Sequence, residues 1–453
     1  MNEARLTGDL WAVLGGTPPT AREVEFSGPA GGLPSKFEVG ALASACIAVA
    51  TLAAAQLWAR RRGEAMRKVR IDRRLAAAAF RCERLLAPQG WELPQIWDPI
   101  AGDYAAADGW IRLHTNYSYH RDAALRVLGV PGEKEAVARA VKRWPAEKLE
   151  SAVVGAGGCA AALRTMAAWR VHPQGAALGS EPLVAWDGRI SGMKERARAD
   201  APLSGVRVLD LTRVIAGPVG TRHLAAFGAQ VLRIDPPDFE EMPALLPETT
   251  RGKRCAAIGL RGSEGRAAWE RLLAEADVLI HGYRPGAMEA LGYDAGRLRA
   301  LNPALVIVRY DAYGWSGRWA ARRGFDSLVQ MSSGIAHPGN HAGGDSKPTP
   351  LPAQALDHGT GYLVAAAACR ALTDGRASAR LSLARTAKLL ADLGPGGDPS
   401  APELGAAEEL LERSDTAWGP VMQVPCAGRI EGYEVKWAER AGPLGRHEPR
   451  WLE

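Results

Sequence analysis

At 453 residues the chain is long enough for two or three domains, and 47% hydrophobic and 23% charged residues with 51 Gly and 30 Pro describe a globular protein rich in turns. The formal net charge of +6 suits anionic small molecules. No Lys/Arg run with interleaved aromatics argues for nucleic acid, and six scattered cysteines without a C-x-x-C pair disfavour disulfide or zinc frameworks.

Residues 1–36 are punctuated by Gly and Pro and predict an irregular extension. Acids come early in Met1–Thr20 and no basic stretch precedes its apolar part, so no secretory signal is expected and the cytoplasm is the default. Ala41–Trp58 is uncharged and followed by Arg60, but its Ala-rich composition predicts a buried helix rather than a membrane span. Residues 37–90 form a helix/strand/helix plan, with helices over Glu38–Ala59 and Arg73–Leu86 around a strand at Val69–Ile71. Residues 91–181 predict a small α+β domain, with a strand through Trp110–His114 and amphipathic helices from His120, Lys134, Ala146 and Ala161. His114 and His120 flank a loop there; solvated or internally satisfied histidines are the expectation, a metal pair the alternative.

A connector at 182–202 leads into 203–393, where strands (Gly205–Leu211, Ala229–Asp235, Asp277–Tyr283, Leu305–Tyr310) alternate with helices (Pro218–Phe227, Ser263–Ala274, Asp294–Asn302). That alternation predicts an α/β, doubly wound parallel sheet. Residues 394–417 are a linker and short polar helix, and 418–453 an extended C-terminal arm. Ligands on such sheets bind beyond the carboxyl ends of the strands. The residues there are Arg213, Tyr283, Arg284 and Tyr313, with Arg251–Arg254, Arg322 and Arg323 in nearby loops, a set of cations suited to a ligand with several phosphates. The first turn lacks G-x-G-x-x-G and carries Pro218, which sets a nicotinamide site aside.

The segment PAQALDHGTGYLVAAAACRAL places Asp357 at the mouth of an Ala-rich helix, behind a stiff Pro-rich strap at Lys347–Pro352. Asp357 is read either as an N-cap or as a nucleophilic carboxylate. Residues 357–393 repeat the plan of 42–86, with Leu42 opposite Asp357, so the first copy has the scaffold without the acid.

The blocks LSGVRVLDLTRVIAGP, FGAQVLRIDPP, TRGKR, YRPGAMEALGYDAGRLRALNPALV, RRGFDSLVQMSSGI and ALDHGTGY together resemble the family III CoA-transferases, the group of formyl-CoA and carnitine CoA-transferases and α-methylacyl-CoA racemase. DGWIRLHTN and GPLGRH are similar to the family's second half and ending, but the order is rearranged: a small-domain half precedes the sheet half. The resemblance implies a Rossmann-like CoA-binding and catalytic domain over 203–393 and a homodimer. It makes Asp357 the catalytic aspartate, with support from His358, Gly359, Thr360 and Asp326. It implies CoA contacts at Val214, Ile215, Ala216, Arg251, Lys253, Arg254, Tyr283 and Arg323, with no metal and no permanently bound cofactor, the CoA thioester being a substrate. Ile215 stands in place of a glutamine, Pro236 of an arginine and Gly282 of an asparagine, and Ala101–Asp103 is a poor counterpart of the family's glycine-rich lid.

The implied activity is CoA transfer between an acyl-CoA and a free carboxylic acid, through an acyl-aspartyl anhydride and an aspartyl-CoA thioester. Helix-start N–H groups at 358–360 are expected to stabilise the oxyanion, Gly359 and Gly361 to admit the substrate, and His358 to be exposed on its helix. A racemase or isomerase is disfavoured because Phe325 stands where those members carry a proton-transferring histidine. A degenerate CoA-binding protein without turnover is the remaining alternative.

Overall fold

The computed structural model describes residues 3–17, 23–191, 200–340, 347–405 and 408–453. Its centre is a seven-stranded sheet ordered Lys253–Ala257, Gln230–Asp235, Arg207–Leu211, Val278–His281, Val306–Asp311, Arg376–Ser382, Ala185–Arg189. The first six strands are parallel; in chain order they run 3-2-1-4-5-6 across the sheet, the Rossmann-like order of a doubly wound fold. Val, Leu and Ile make up most of the four inner strands, Gln230–Asp235, Arg207–Leu211, Val278–His281 and Val306–Asp311, because both faces are covered. The seventh, Ala185–Arg189, is antiparallel and comes from the stretch expected to be a mere connector, of which 192–199 lie outside the described residues. It pairs along Arg376–Ser382, which would otherwise present an open edge.

The Ala-rich helix Val39–Arg62 is long and apolar enough to cross a membrane, yet its body lies inside the protein, packed on the helix Ala355–Asp374. Small side chains on both allow close approach: Gly359 lies against Leu42 and Cys46. The two helices belong to matching units. Val39–Arg62, Val69–Asp72 and Arg73–Ala79 follow the plan of Ala355–Asp374, Arg376–Ser382 and Leu383–Asp392. Both helices start after a residue of the same non-helical geometry, Glu38 (φ −74°, ψ 51°) and Gln354 (φ −75°, ψ 63°). Both end on a left-handed glycine, Gly63 (φ 64°) and Gly375 (φ 70°), the conformation that lets a helix stop without Cβ strain. Counted from these starts, the residue opposite Asp357 is Ala41 rather than Leu42, because the extra residues of the longer first helix fall after its start.

Residues 102–162 form an antiparallel sheet (Gly102–Ala105, Trp110–Leu113, Ala160–Ala162) with helices Ser118–Leu128, Lys134–Val141 and Ala146–Gly155 around a separate core. Two expectations fail at the ends of the chain. The N-terminal extension contains a helix, Glu3–Val13, and a strand, Val24–Ser27, paired with Val69–Asp72; Leu6, Leu10 and Trp11 anchor the helix in the core. Of the polar helix expected near 403–414 only a 3-10 turn, Glu408–Leu410, is present among the described residues, which leave out 406–407; its C-terminal part is a hairpin strand, Glu412–Thr416, paired with Gly419–Gln423, where alternating exposure suits a strand.

Candidate active site

A doubly wound sheet opens a crevice where the strand order reverses, here between Arg207–Leu211 and Val278–His281. The turn after the first of these is fixed from below. Asp210 accepts hydrogen bonds from the Thr212 backbone (2.9 Å), the Thr221 hydroxyl (2.6 Å) and Lys253 Nζ (3.0 Å), all in the interior. Lys253 also donates to the Pro218 carbonyl (3.1 Å), tying the helix Ala216–Ala226 to the sheet. Held this way, Val214 takes φ 64°, a left-handed conformation that is a strained outlier for a β-branched residue and typical of functional turns.

Asp357 is the third residue of Ala355–Asp374, and it is not the cap. The first-turn N–H groups of Leu356 and Asp357 donate to Asp326 Oδ2 at 2.8 and 2.9 Å, so a carboxylate from the start of another helix, Asp326–Ser333, does the capping. Gln330 donates to the other Asp326 oxygen and accepts from the Leu351 backbone (2.8 Å), anchoring the Pro-rich strap. The Asp357 carboxylate is thereby released to line a cavity of about 350 Å³. Burial, then the neighbouring charges of Asp326 and Glu83, push the Asp357 carboxyl well above the usual carboxylate range. Burial also raises Asp326, to about 6, against the bonds from Asp357, Gln330 and Leu356 that favour its charge.

Val214, Ala216, Tyr283 and Arg323 line the same cavity, together with Arg213, Arg284 and Arg322 from the rim. The Arg213 guanidinium lies 3.6 Å from the Phe239 ring centroid and 5.3 Å from that of Tyr283, a cation held between aromatic faces. Arg322 is committed to Glu150 (2.9 Å) and the Ala160 carbonyl (2.7 Å), whereas Arg323 donates to the Gly157 carbonyl (3.4 Å). The opposite wall comes from the small antiparallel unit: Tyr117, Tyr119 and His120. The residue pattern around these three carries one signal, the aromatic run YSYH in a strand-to-helix loop, and it does not point to the sheet's crevice. His120 is buried, pushed down to about 4 by burial and then by the Arg323 charge, with Nε2 3.5 Å from Cys159 Sγ. His114 stacks on Phe325 with ring centroids 3.6 Å apart, so the two histidines clasp an aromatic ring rather than form a metal pair.

Other expected site residues lie elsewhere. Arg251 pairs with Glu412 and sits 4.2 Å from the Trp437 ring centroid; Lys253 is the buried partner of Asp210; Arg254 donates to the carbonyls of Glu448 and Arg450 in the C-terminal arm. Arg251 and Lys253 are neutralised by acids and Arg254 is held by backbone carbonyls of the C-terminal arm, and none of the three lines the cavity of Asp357. Ile215 faces a small recess with Glu83 and His358, behind the turn. His358 is not exposed: its Nε2 lies 3.1 Å from Glu83 Oε2 and its ring stacks on Phe80. The His358 N–H donates to the Gln354 carbonyl (3.0 Å), and the N–H groups of Gly359 and Thr360 lie past the first turn, where the helix takes them into its own i→i−4 bonds, so the expected oxyanion donors are used up inside the helix. Gly361 admits a helix, not a substrate: a Cβ there would overlap the Ala216 carbonyl. Among the described residues, Cys82, Glu83 and His358 have ligand atoms within 4.8 Å of one another. The Arg222 guanidinium, 3.5 Å from Cys82 Sγ, sets a positive charge against any cation there.

Part of the chain is similar to known proteins. Residues 203–387 match the model for CoA-transferase family III. The chain is 35% identical over 173 residues to acetyl-coenzyme A transferase nodX of Hypoxylon pulicicidum, covering 37% of this chain and 29% of that protein. It is 33% identical over 188 residues to the probable fatty acyl-CoA transferase Rv3272 of Mycobacterium tuberculosis, covering 38% of this chain and 46% of that protein. A crystal structure of Rv3272 aligns with TM-score 0.40 and 30% identity over 43% of this chain and 58% of the other. The chain thus spans less than half the length of these two curated relatives. Segment 203–387, which carries Asp357 and the arginine rim, is the part of the chain that is similar to CoA-transferase family III.

Proposed function

We infer that the protein transfers CoA between an acyl-CoA thioester and a free carboxylic acid, with Asp357 as the nucleophile. The observation that carries this reading is a single one: a carboxylate freed from capping duty faces a cavity ringed by Arg213, Arg284 and Arg323 at the sheet's crevice. The rim cations hold the CoA phosphates, and the thioester carbonyl lies over Asp357. An ionised Asp357 oxygen attacks that carbonyl, the C–S bond breaks, and CoA leaves as thiolate from a mixed anhydride. The thiolate attacks the aspartyl carbonyl, expels the first acid as its carboxylate and leaves an aspartyl-CoA thioester. The incoming carboxylate then reverses both steps. The first-turn N–H of Ala216, at the cavity wall, is a candidate oxyanion donor in place of those at 358–360. The relatives' names, acetyl-CoA and fatty acyl-CoA transferase, support the thioester class.

A second reading, CoA binding without turnover, draws support from the environment of Asp357, which favours the protonated and non-nucleophilic form. One experiment separates the two. The protein is incubated with a panel of acyl-CoA donors and free acids, and intact masses are recorded. A transferase gains the mass of an aspartyl-CoA adduct, faster at pH 8 than at pH 6, and Asp357→Asn gains none. CoA affinity with no adduct at either pH would leave only the binding module.

A further inference from the structure

Tyr283 and Arg284 form one wall of the reaction cavity and also border a second cavity, of about 210 Å³, over the adjoining strands. That volume is below the roughly 300 Å³ at which pockets begin to hold drug-sized ligands. Its floor carries His281 and Arg309 on neighbouring strands, paired across from each other in register. His281 is 5% exposed and its Nδ1 has no hydrogen-bond partner among the described residues. Burial, with the Arg309 charge beside it, pushes His281 down to about 3, so a neutral ring offers one N–H donor. The Arg309 Nε is likewise buried without a partner, and burial followed by repulsion from Arg380 disfavours its charge. Arg189 and Arg299 also border the cavity, and their bonds to the carbonyls of Asp374 and Ala377 (both 2.8 Å) leave their charges uncancelled. Two carboxylates, Asp187 and Glu289, stand against these four arginines. The remaining walls are apolar or aromatic: Tyr293, Met288, Ile307 and Trp315, whose ring centroid lies 5.3 Å from the Arg309 guanidinium.

The partnerless Nε–H of half-buried Arg309, and the buried His281 Nδ1 when it carries the ring proton, are donors whose lost hydrogen bonds an oxyanion would restore. The aromatic walls favour an anion with a flat or aliphatic body over a bare inorganic ion. We propose that this second cavity is a binding site for a small organic carboxylate, separate from the cavity of Asp357 and joined to it through Tyr283 and Arg284. The site does not rest on the transferase reading, since Asp357 takes no part in it.

Isothermal titration of benzoate into the full chain tests it, with inorganic phosphate as the comparison. One benzoate is expected to bind per chain, at least tenfold more weakly in Arg309→Gln, with Arg309→Lys intermediate. Binding is expected to survive both Asp357→Asn and saturating CoA. If Arg309→Gln does not fold, His281→Leu supplies the same comparison with the donor removed. Absence of binding, equal affinity in both variants, phosphate binding in preference to benzoate, or displacement of benzoate by CoA would each overturn the proposal.

Discussion

Asp326 accepts the backbone N–H groups of Leu356 and Asp357, donors that a helix leaves unpaired in its first turn. A local cap would have come from Gln354, whose side chain makes no such bond. The remote cap costs something: its carboxyl is fully buried and raised to about 6, above its unfolded value near 4. Folding therefore favours the protonated form, and the native state loses stability as pH rises from about 4 through about 6. Asp326→Asn keeps an acceptor without the charge, so thermal melts across that window should flatten. Removing that charge should also move the pH profile of Asp357 adduct formation to lower pH, because Asp326 is one of the charges that raises Asp357. Asp326→Ala should lose the cap as well, at about 0.5–2 kcal/mol, and lower the maximal adduct rate. Equal melts for both variants would show that the capping bonds contribute nothing.

The helices Ala216–Ala226 and Ala355–Asp374 cross at glycine, and this crossing sets the position of Asp357 relative to the Val214 turn. A Cβ on Gly361 would overlap the Ala216 carbonyl and one on Gly220 the Gly361 carbonyl, so backbone meets backbone. Neither glycine has a positive φ, hence space and not conformation is what demands them. Gly361→Ala should cost about 1–3 kcal/mol, the usual range for overpacking, in chemical denaturation. It should also slow adduct formation more than a comparable surface change at the same stability, because the shifted helix carries Ala216 and the strained turn with it. The elements themselves are legible in the sequence. Alternating apolar strands and Ala-rich helices announce the sheet, and Gly63 and Gly375 mark where the paired helices end. Which glycine faces a neighbour and which a ligand is not legible, since both uses leave the same letter in the chain.

The site is assembled from distant parts of the chain, and that governs what a sequence can reveal of it. Arg213, Tyr283 and Arg284 follow strand ends, so topology alone directs them to the crevice. Arg251, Lys253 and Arg254 carry the same charge, but their partners Glu412, Asp210 and the Glu448 carbonyl are set by tertiary contacts that no local pattern encodes. Tyr117, Tyr119 and His120 lie over two hundred residues before Asp357 and reach it only because the small unit folds across the sheet rim. The first helical unit has a similar reach. Burial alone would raise the Glu83 carboxyl, but His358 by charge and hydrogen bond brings it below the usual range, so it stays ionised beside the residue that follows Asp357. That charge is one cause of the raised Asp357. Glu83→Gln retains an acceptor for His358 while removing the charge, so the pH profile of adduct formation should move to lower pH with the melting temperature nearly unchanged. Glu83→Ala should instead leave His358 unpaired in the interior and cost about 1–3 kcal/mol. A Gln variant whose profile superimposes on that of the wild type would sever the first unit from the chemistry and leave it as packing alone.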